Sequence, residues 1–261
     1  LFTPLSKEHS TLGTITIDFS SKLLINDGQH RRAAIEAALK INPDLKYEHI
    51  PVVLYHDLGL KRAQQMFSDL NKFALRPTHS LNIMYDNRDA DSKLSKEIIA
   101  NVPVFHGLVD TEHTSISNRS NQLFTLSGIH RGTKALFSGL TWDYEKKREV
   151  GISFWTSVSD YMQDWKDVYE GKKKAYVIRQ DSLSSLSITI KGLGTVGNEI
   201  LRQAPDTVNT ALSRLTTIDW HKNGPLWKEG IVVDGSVVSS RATQKMMESI
   251  LRNAIRGAAN G

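Results

Sequence analysis

Asp27-Gly28-Gln29-His30-Arg31 places a carboxylate, a glycine, an amide, an imidazole and a guanidinium in consecutive positions, with a second arginine, Arg32, directly behind. Such a set suits the capture of an anion. Gly28 lets a phosphate come close to the main chain, and the free N–H groups of a starting helix donate to it. Arg31 can clamp it with charge-assisted bonds, while His30 hydrogen-bonds or tunes the site. A plainer reading has Asp27 capping the helix and His30-Arg31 pairing locally. Arg31 and Arg32 weigh against that reading, because a cation in a first helical turn opposes the helix dipole at a cost of ~0.3–1 kcal/mol, which a bound anion offsets.

The elements around the turn can be read from hydrophobic period. Ile15, Ile17 and Phe19 alternate, Ser20-Ser21 turns, and Leu23-Leu24-Ile25 resumes, the pattern of a hairpin. Residues Arg31 to Lys40, rich in Ala, Leu and Glu, predict a helix that ends before Pro43. Ile50 to Tyr55 predicts a core strand with Pro51 near its start, and Gly59 closes the link that follows. Ala63, Met66, Phe67, Leu70 and Ala74 recur at helical spacing, so residues 60–75 predict a helix stopped before Pro77. Its polar face holds Gln64, Gln65, Ser68, Asn71 and Lys72, of which Gln64, Ser68, Asn71 and Lys72 would line the far wall of a phosphate site. The reading gives an α/β (α+β) lobe over 1–85, an irregular connection over 86–121 marked by Asp86-Asn87-Arg88-Asp89 and Ser115 to Ser120, and a mainly helical lobe over 122–261.

In that second lobe Leu123, Leu126, Ile129 and Leu136 form one apolar stripe, and Val150, Phe154, Val158, Tyr161, Met162, Trp165 and Val168 form another. Gly192-Leu-Gly194-Thr-Val-Gly197 matches the dinucleotide fingerprint, with Asp219 downstream as a ribose-binding acid. Yet Leu183, Leu186, Ile190, Leu193, Val196 and Ile200 step by three and four, which predicts a helix through the glycines rather than a strand before them. Arg241, Lys245, Arg252 and Arg256 fall within about 60° on a helical wheel at ~100° per residue, with Met246, Met247, Ile250 and Ala254 on the opposite arc. That basic stripe suits a phosphate backbone or a solvated helix face alike. Lys146-Lys147-Arg148 and Lys172-Lys173-Lys174 read as solvated charge runs.

Bulk composition narrows the classes. The chain has 261 residues, 39% of them hydrophobic, enough for a substantial core. Zero cysteines exclude a disulfide framework, a thiolate metal site and a cysteine nucleophile, and fit a reducing cytoplasm. The nine histidines show no metal-ligand spacing, His106 with His113 included. Neither a G-x-S-x-G elbow nor a Walker A sequence occurs. No apolar run nears the ~18 residues of a membrane span. Leu1-Phe2-Thr3 has neither an initiator Met nor a signal-peptide pattern, so residues upstream are expected to be missing. A net charge of +5 and a pI near 9.3 favour a polyanionic partner.

Ile25 to Ile35, with Asp27 to Arg31 at its centre, resembles the DGQHR signature of the DndB family of DNA sulfur modification (phosphorothioation) proteins. Phe67 to Lys72 with Arg76-Pro77-Thr78, Leu123 to Ser127, Asp164-Trp165 and Ile218-Asp219-Trp220 are similar to that family in the same order, so the likeness covers most of the chain. Residues 21–80 more distantly resemble the core shared by ParB-type partition proteins and sulfiredoxin. Gly28 to Arg31 falls on the GERR and GCHR boxes of those two, Ile50 to Leu58 on the following strand, and Asp69 to Lys72 near the polar ENLQR box. Gln29 stands where sulfiredoxin has its cysteine, which removes sulfinic acid repair. Only part of the ParB polar box is present, so its CTP specificity and metal site do not carry over.

The resemblance implies a cytoplasmic, DNA-binding transcriptional regulator of a phosphorothioation gene cluster. Its partners would be double-stranded promoter DNA and other phosphorothioation proteins, with no membrane, and it would act as a homodimer. ATP or another nucleotide with Mg²⁺, bound at Asp27, Gly28, Gln29, His30 and Arg31, would switch it, and Arg241, Lys245, Arg252 and Arg256 would touch DNA. A rival reading is an enzyme, an NTPase or a DNA-nicking activity, with Asp27, His30 and Arg31 as candidate catalytic groups and Asp27 or Asp69 on Mg²⁺. A third is a scaffold in which the turn is only structural.

Overall fold

A computed structural model describes residues 2–4, 6–7, 11–18, 20, 25, 28–54, 60–72, 77–228, 230–233, 235–238 and 240–256. It divides into two compact units, Leu1–Arg76 and Pro77–Gly261. Helices make up 62% of it, and the sheets are small. Three two-stranded ribbons are present among the described residues, so packed helices rather than a sheet provide the framework.

In the first unit β1 (Phe2–Pro4) pairs antiparallel with β2 (Gly13–Ile15). Ile15 therefore faces Phe2 rather than an Ile25-side partner. Ile17 lies outside the ribbon, Ser20 closes a turn on the Asp18 carboxylate, and Phe19 and Leu23-Leu24 of the expected hairpin lie outside the described residues. α1 (Gln29–Ile41) forms as its composition predicts, and Asn42, whose N–H donates to the Ala38 carbonyl, ends it ahead of Pro43. Asn42 also caps a short 3-10 helix, Pro43–Tyr47. Ile50 to Leu54 are not in a strand, a departure from the sequence reading. β-propensity expresses fit to a neighbouring pleated surface, and Val52 and Val53 are 74% and 77% exposed, without one among the described residues. α2 (Leu60–Lys72) matches the predicted helix as far as the description extends; Ala74 lies beyond it.

The second unit begins with α3 (His79–Tyr85) and α4 (Ala90–Asn101), followed by a two-residue parallel pair, β3 (Val109–Asp110) and β4 (Phe124–Thr125). Then come α5 (Leu126–Leu136), α6 (Tyr144–Tyr161), α7 (Gln163–Tyr169), α8 (Ala175–Asp181), α9 (Ser187–Gln203), α10 (Val208–Ser213) and α11 (Pro225–Lys228). The ribbon β5 (Val232–Val233) and β6 (Ser236–Val237) precedes α12 (Arg241–Arg256). Thr78, Asp89, Thr125 and Asp143 each accept an N–H of the turn that they cap, at the starts of α3, α4, α5 and α6.

α4 corrects the expectation of an irregular stretch over 86–121. Asp86 accepts the N–H groups of Arg88 and Asp89, and Asp89 caps the helix, so the polar run is its N-terminal lead-in. Leu94 and Ile98 then enter the core. The Ser115–Ser120 segment is irregular as expected, and it is held in place: the Arg179 guanidinium donates to the carbonyls of Ser117 at 2.8 Å and Ser120 at 3.2 Å, and to that of Gln122.

Both apolar stripes of this unit are core, with the second broken between α6 and α7 at Met162. Trp155, Trp165, Trp227, Phe105, Phe124 and Phe154 are its largest fully buried side chains, with Phe124 edge-on to Trp165 at 4.8 Å between ring centres. α9 passes straight through Gly192, Gly194 and Gly197, which settles the fingerprint as a packing device. A Cβ at Gly194 would collide with the Gly132 backbone of α5, and one at Gly197 would lie 2.5 Å from the Phe154 ring. On its other side α9 receives Leu251 and Met247 of α12 over Gly192.

Candidate functional site

Gly28 precedes α1 with φ 108° and ψ 12°, a left-handed conformation that a residue with a Cβ adopts only under strain. The first intrahelical bond runs from the Arg32 N–H to the Gly28 carbonyl at 2.8 Å. No side chain caps the helix at Gly28, its first turn holds no acid, and the N–H groups of Gln29 and His30 have no partner among the described residues. The Arg31 side chain folds back over the turn, its Nε 3.7 Å from where a Gly28 Cβ would stand. Gln29 Nε2 donates to the Ile25 carbonyl at 2.8 Å, so this amide closes the loop instead of reaching outward. Arg32 pairs with Glu36 one turn on, at 2.7 Å between exposed side chains. His30 and Arg31 are exposed, and Asp27 lies outside the described residues.

N–H groups without a partner among the described residues, the positive end of a 13-residue helix and a guanidinium thus share one turn, an arrangement suited to phosphate. The second wall is less complete. Gln64 and Ser68 are exposed on α2, and no hydrogen bond joins either to the turn among the described residues. Gln65 Nε2 donates to Asp69 at 2.7 Å, which occupies one carboxylate proposed for Mg²⁺. The side chains of Asn71 and Lys72 lie outside the description, and among the described residues no cluster of three His, Asp or Glu side chains could hold a metal ion.

On α12 the buried residues are Thr243, Met247, Leu251 and Ile255. Met246, expected on the buried arc, is 37% exposed, so the helix is rotated toward its threonine side. Arg241 and Lys245 are exposed, whereas Arg252 is engaged: its Nε and terminal nitrogen donate to both Glu199 oxygens of α9, at 2.8 and 2.6 Å. This bidentate bond raises the Arg252 pKa and withdraws it from the expected DNA-contacting row. The Arg256 side chain lies outside the description.

Two further motif pieces, Asp164-Trp165 and Asp219-Trp220, meet in space. Asp164 accepts from the Ser182 and Ser184 hydroxyls at 2.6 and 2.9 Å. Ser182 bridges to His221, the Leu183 N–H donates to the Trp220 carbonyl, and Trp227 Nε1 donates to the Asp219 carbonyl at 2.7 Å. Beside them Lys173 sits 2.9 Å from Asp167, whose pKa it lowers. These carboxylates hold the fold together. A buried histidine, not singled out by the sequence pattern, lies midway along α5: His130 Nδ1 is 3.0 Å from Ser95 Oγ, which itself donates to the Asp91 carbonyl. Ser95 therefore accepts from Nδ1–H, and burial lowers the imidazole pKa.

The DndB family, described as DNA-sulfur modification-associated, matches residues 1–257. This chain belongs to that family. DndB membership places it in the setting of a DNA modification system, as the turn signature implied. No curated protein and no solved structure matches the chain. No helix among the described residues is long and apolar enough to cross a membrane.

Proposed function

We propose that this DndB family member is a DNA-binding transcriptional regulator of a DNA sulfur-modification gene cluster, switched by a nucleotide at the Gly28–Arg31 turn. The observation that carries the reading is the family match over residues 1–257, which ties a chain of pI near 9.3 to DNA. Arg241 and Lys245, exposed on α12, supply cations for a phosphate backbone. The N–H groups of Gln29 and His30, with the Arg31 guanidinium, would hold the phosphates of ATP or another nucleotide with its Mg²⁺. Gln64, Ser68, Asn71 and Lys72 of α2 would supply the far wall, in a lobe that resembles the ParB/sulfiredoxin core. The protein works in the cytoplasm as a homodimer on a two-fold promoter site, alongside other phosphorothioation proteins.

Calorimetric titration of ATP, CTP and GTP into wild type and Arg31→Ala tests the switch, with promoter-DNA affinity measured alongside. One nucleotide is expected to bind wild type, to lose at least tenfold in affinity in Arg31→Ala, and to change the DNA affinity. Absence of binding by all three removes the nucleotide site.

A further inference from the structure

Three adjacent helices hold the chain's positive charge. α9 packs between α5 and α12. Together they carry Arg131 and Lys134 on α5, Lys191 and Arg202 on α9, and Arg241, Lys245, Arg252 and Arg256 on α12, against only Glu199 and Glu248. The whole chain has a net charge of +5, so everything outside these helices is close to neutral. Such segregation is not a consequence of a basic composition.

Half of these cations are spoken for or undescribed. Lys134 lies 3.4 Å from Asp91, Arg202 donates to Asn198 and to the Ser138 carbonyl, Arg252 holds Glu199, and the Arg256 side chain lies outside the description. Glu248 in turn accepts from Gln244 and Thr195. Arg131, Lys191, Arg241 and Lys245 are exposed and make no ion pair among the described residues.

These four share one side of the layer. On α9, Gly194 faces α5 and Gly192 faces α12, so Lys191 stands on the outward ridge between them, in line with Thr195, Asn198 and Arg202. On α5, Arg131 adjoins Gly132, the residue that meets α9. On α12, Gln244 reaches the Ile188 carbonyl and Glu248 reaches Thr195, and Arg241 and Lys245 lie next to that seam around the helix. Helices pack at ~8–10 Å between axes, so the outer two lie roughly 16–20 Å apart. That exceeds the ~12 Å width of a major groove, so a layer this broad meets phosphates on either side of a groove rather than base edges inside it. A lipid surface is the weaker match. Membrane-surface helices set large apolar side chains beside their cations, whereas this ridge bears Thr195 and Asn198.

We propose that Arg131, Lys191, Arg241 and Lys245 form a docking surface for the phosphate backbone of duplex DNA, one that positions the duplex without reading its sequence. The inference rests on the DNA-binding reading above and extends it from one helix to three, with Arg252 replaced as a contact by Lys191 and Arg131.

Fluorescence anisotropy with two labelled 30-base-pair duplexes of unrelated sequence, over 50–200 mM salt, tests it. Each neutralised phosphate contributes about 0.9 to the slope of log affinity against log salt, equivalent to about 8-fold in affinity at 0.1 M salt. Arg131→Ala/Lys191→Ala should thus lower the slope by about 1.8 and the affinity about 60-fold, equally for both duplexes. Lys93→Ala on α4 should leave both unchanged, and Lys191→Gln alone should show the single-site loss. Unchanged thermal unfolding confirms that the variants fold. Wild type that binds neither duplex overturns the DNA-binding reading and this inference together. Wild type that binds with a slope the double variant retains, a loss confined to one duplex, or phosphatidylserine vesicles that compete as well as DNA overturns this inference alone.

Discussion

Replacing Gly194 with alanine puts one methyl group where α5 and α9 cross most closely. In an isolated helix the change stabilises by ~0.8–1 kcal/mol, because glycine has the greater backbone entropy to lose. Here the Cβ would stand within the Gly132 main chain, which cannot rotate aside as a side chain can. Room appears only if the two helices separate. Separation loosens Ile190, whose Cγ2 lies 2.8 Å from the Cβ position of Gly132, and the Trp155 ring 3.0 Å from it. Overpacking of well-packed cores costs typically 1–3 kcal/mol, and a backbone clash belongs at or above the top of that range, so a net loss of about 3 kcal/mol is expected. For a unit of this size about 3 kcal/mol lowers the melting temperature by roughly 6–12 °C. Gly192→Ala makes the comparison sharp. Its Cβ meets the Leu251 Cδ1 at 2.8 Å and the Met247 Cγ at 3.2 Å, side-chain atoms rather than main chain, so helix propensity and crowding nearly cancel and the shift stays within about 3 °C. Differential scanning calorimetry of the two variants and wild type decides the matter. A Gly194→Ala protein that melts within a degree of wild type, or below which Gly192→Ala falls, would refute the packing role of this glycine run.

Other outcomes are equally specific. Burial, with Lys134 nearby, lowers the His130 pKa beneath its unfolded value near 6.5, so the folded state binds fewer protons there and this contribution to stability is lost as pH falls below that value. The urea midpoint should therefore drop between pH 7.5 and 5.5 more steeply in wild type than in His130→Gln; equal slopes would contradict the assignment. Asp89→Ala removes the cap of α4 and should cost about 1 kcal/mol by urea denaturation at pH 7; no change would mean that the cap is idle. Asp164→Ala removes the carboxylate that accepts from both Ser182 and Ser184, leaving the buried Ser184 hydroxyl without its acceptor, and should cost ~1–3 kcal/mol, whereas a stability equal to wild type would show that water replaces the carboxylate. Arg179→Lys should speed proteolytic cleavage within residues 115–122 without moving the global melting temperature, since a compact ammonium lacks the planar fork whose two terminal nitrogens reach the Ser117, Ser120 and Gln122 carbonyls.

What the sequence revealed depended on whether period or partner decided each element. α9 was legible through its three glycines because the step of its apolar residues is helical, and α1 because alanine-rich propensity and Asn42-Pro43 bound it. α4 escaped notice because its buried positions include Ser92 and Ser95, which leave Leu94 and Ile98, with the partly buried Ile99, as a thin apolar signal. The strand expected at Ile50–Tyr55 does not form over Ile50–Leu54, where no strand pairs with it among the described residues, and composition does not supply a neighbour. At the turn, residue types alone indicated an anion site, and the left-handed Gly28 and the folded-back Arg31 give that expectation a geometry. The bond from the Gln29 amide to the Ile25 carbonyl, within the loop, was not legible in the residue types. On α12 the wheel located the cations but not the Glu199 partner of Arg252, which sits 53 residues away on another helix.

The most direct measurement is the affinity of the wild-type protein for DNA upstream of a sulfur-modification gene cluster, by anisotropy over 50–200 mM salt, with and without ATP, CTP or GTP. A linear fall of log affinity with log salt, shifted by one nucleotide in wild type and by none in Arg31→Ala, is the predicted result. An affinity indifferent to salt, or no binding at all, would contradict the account.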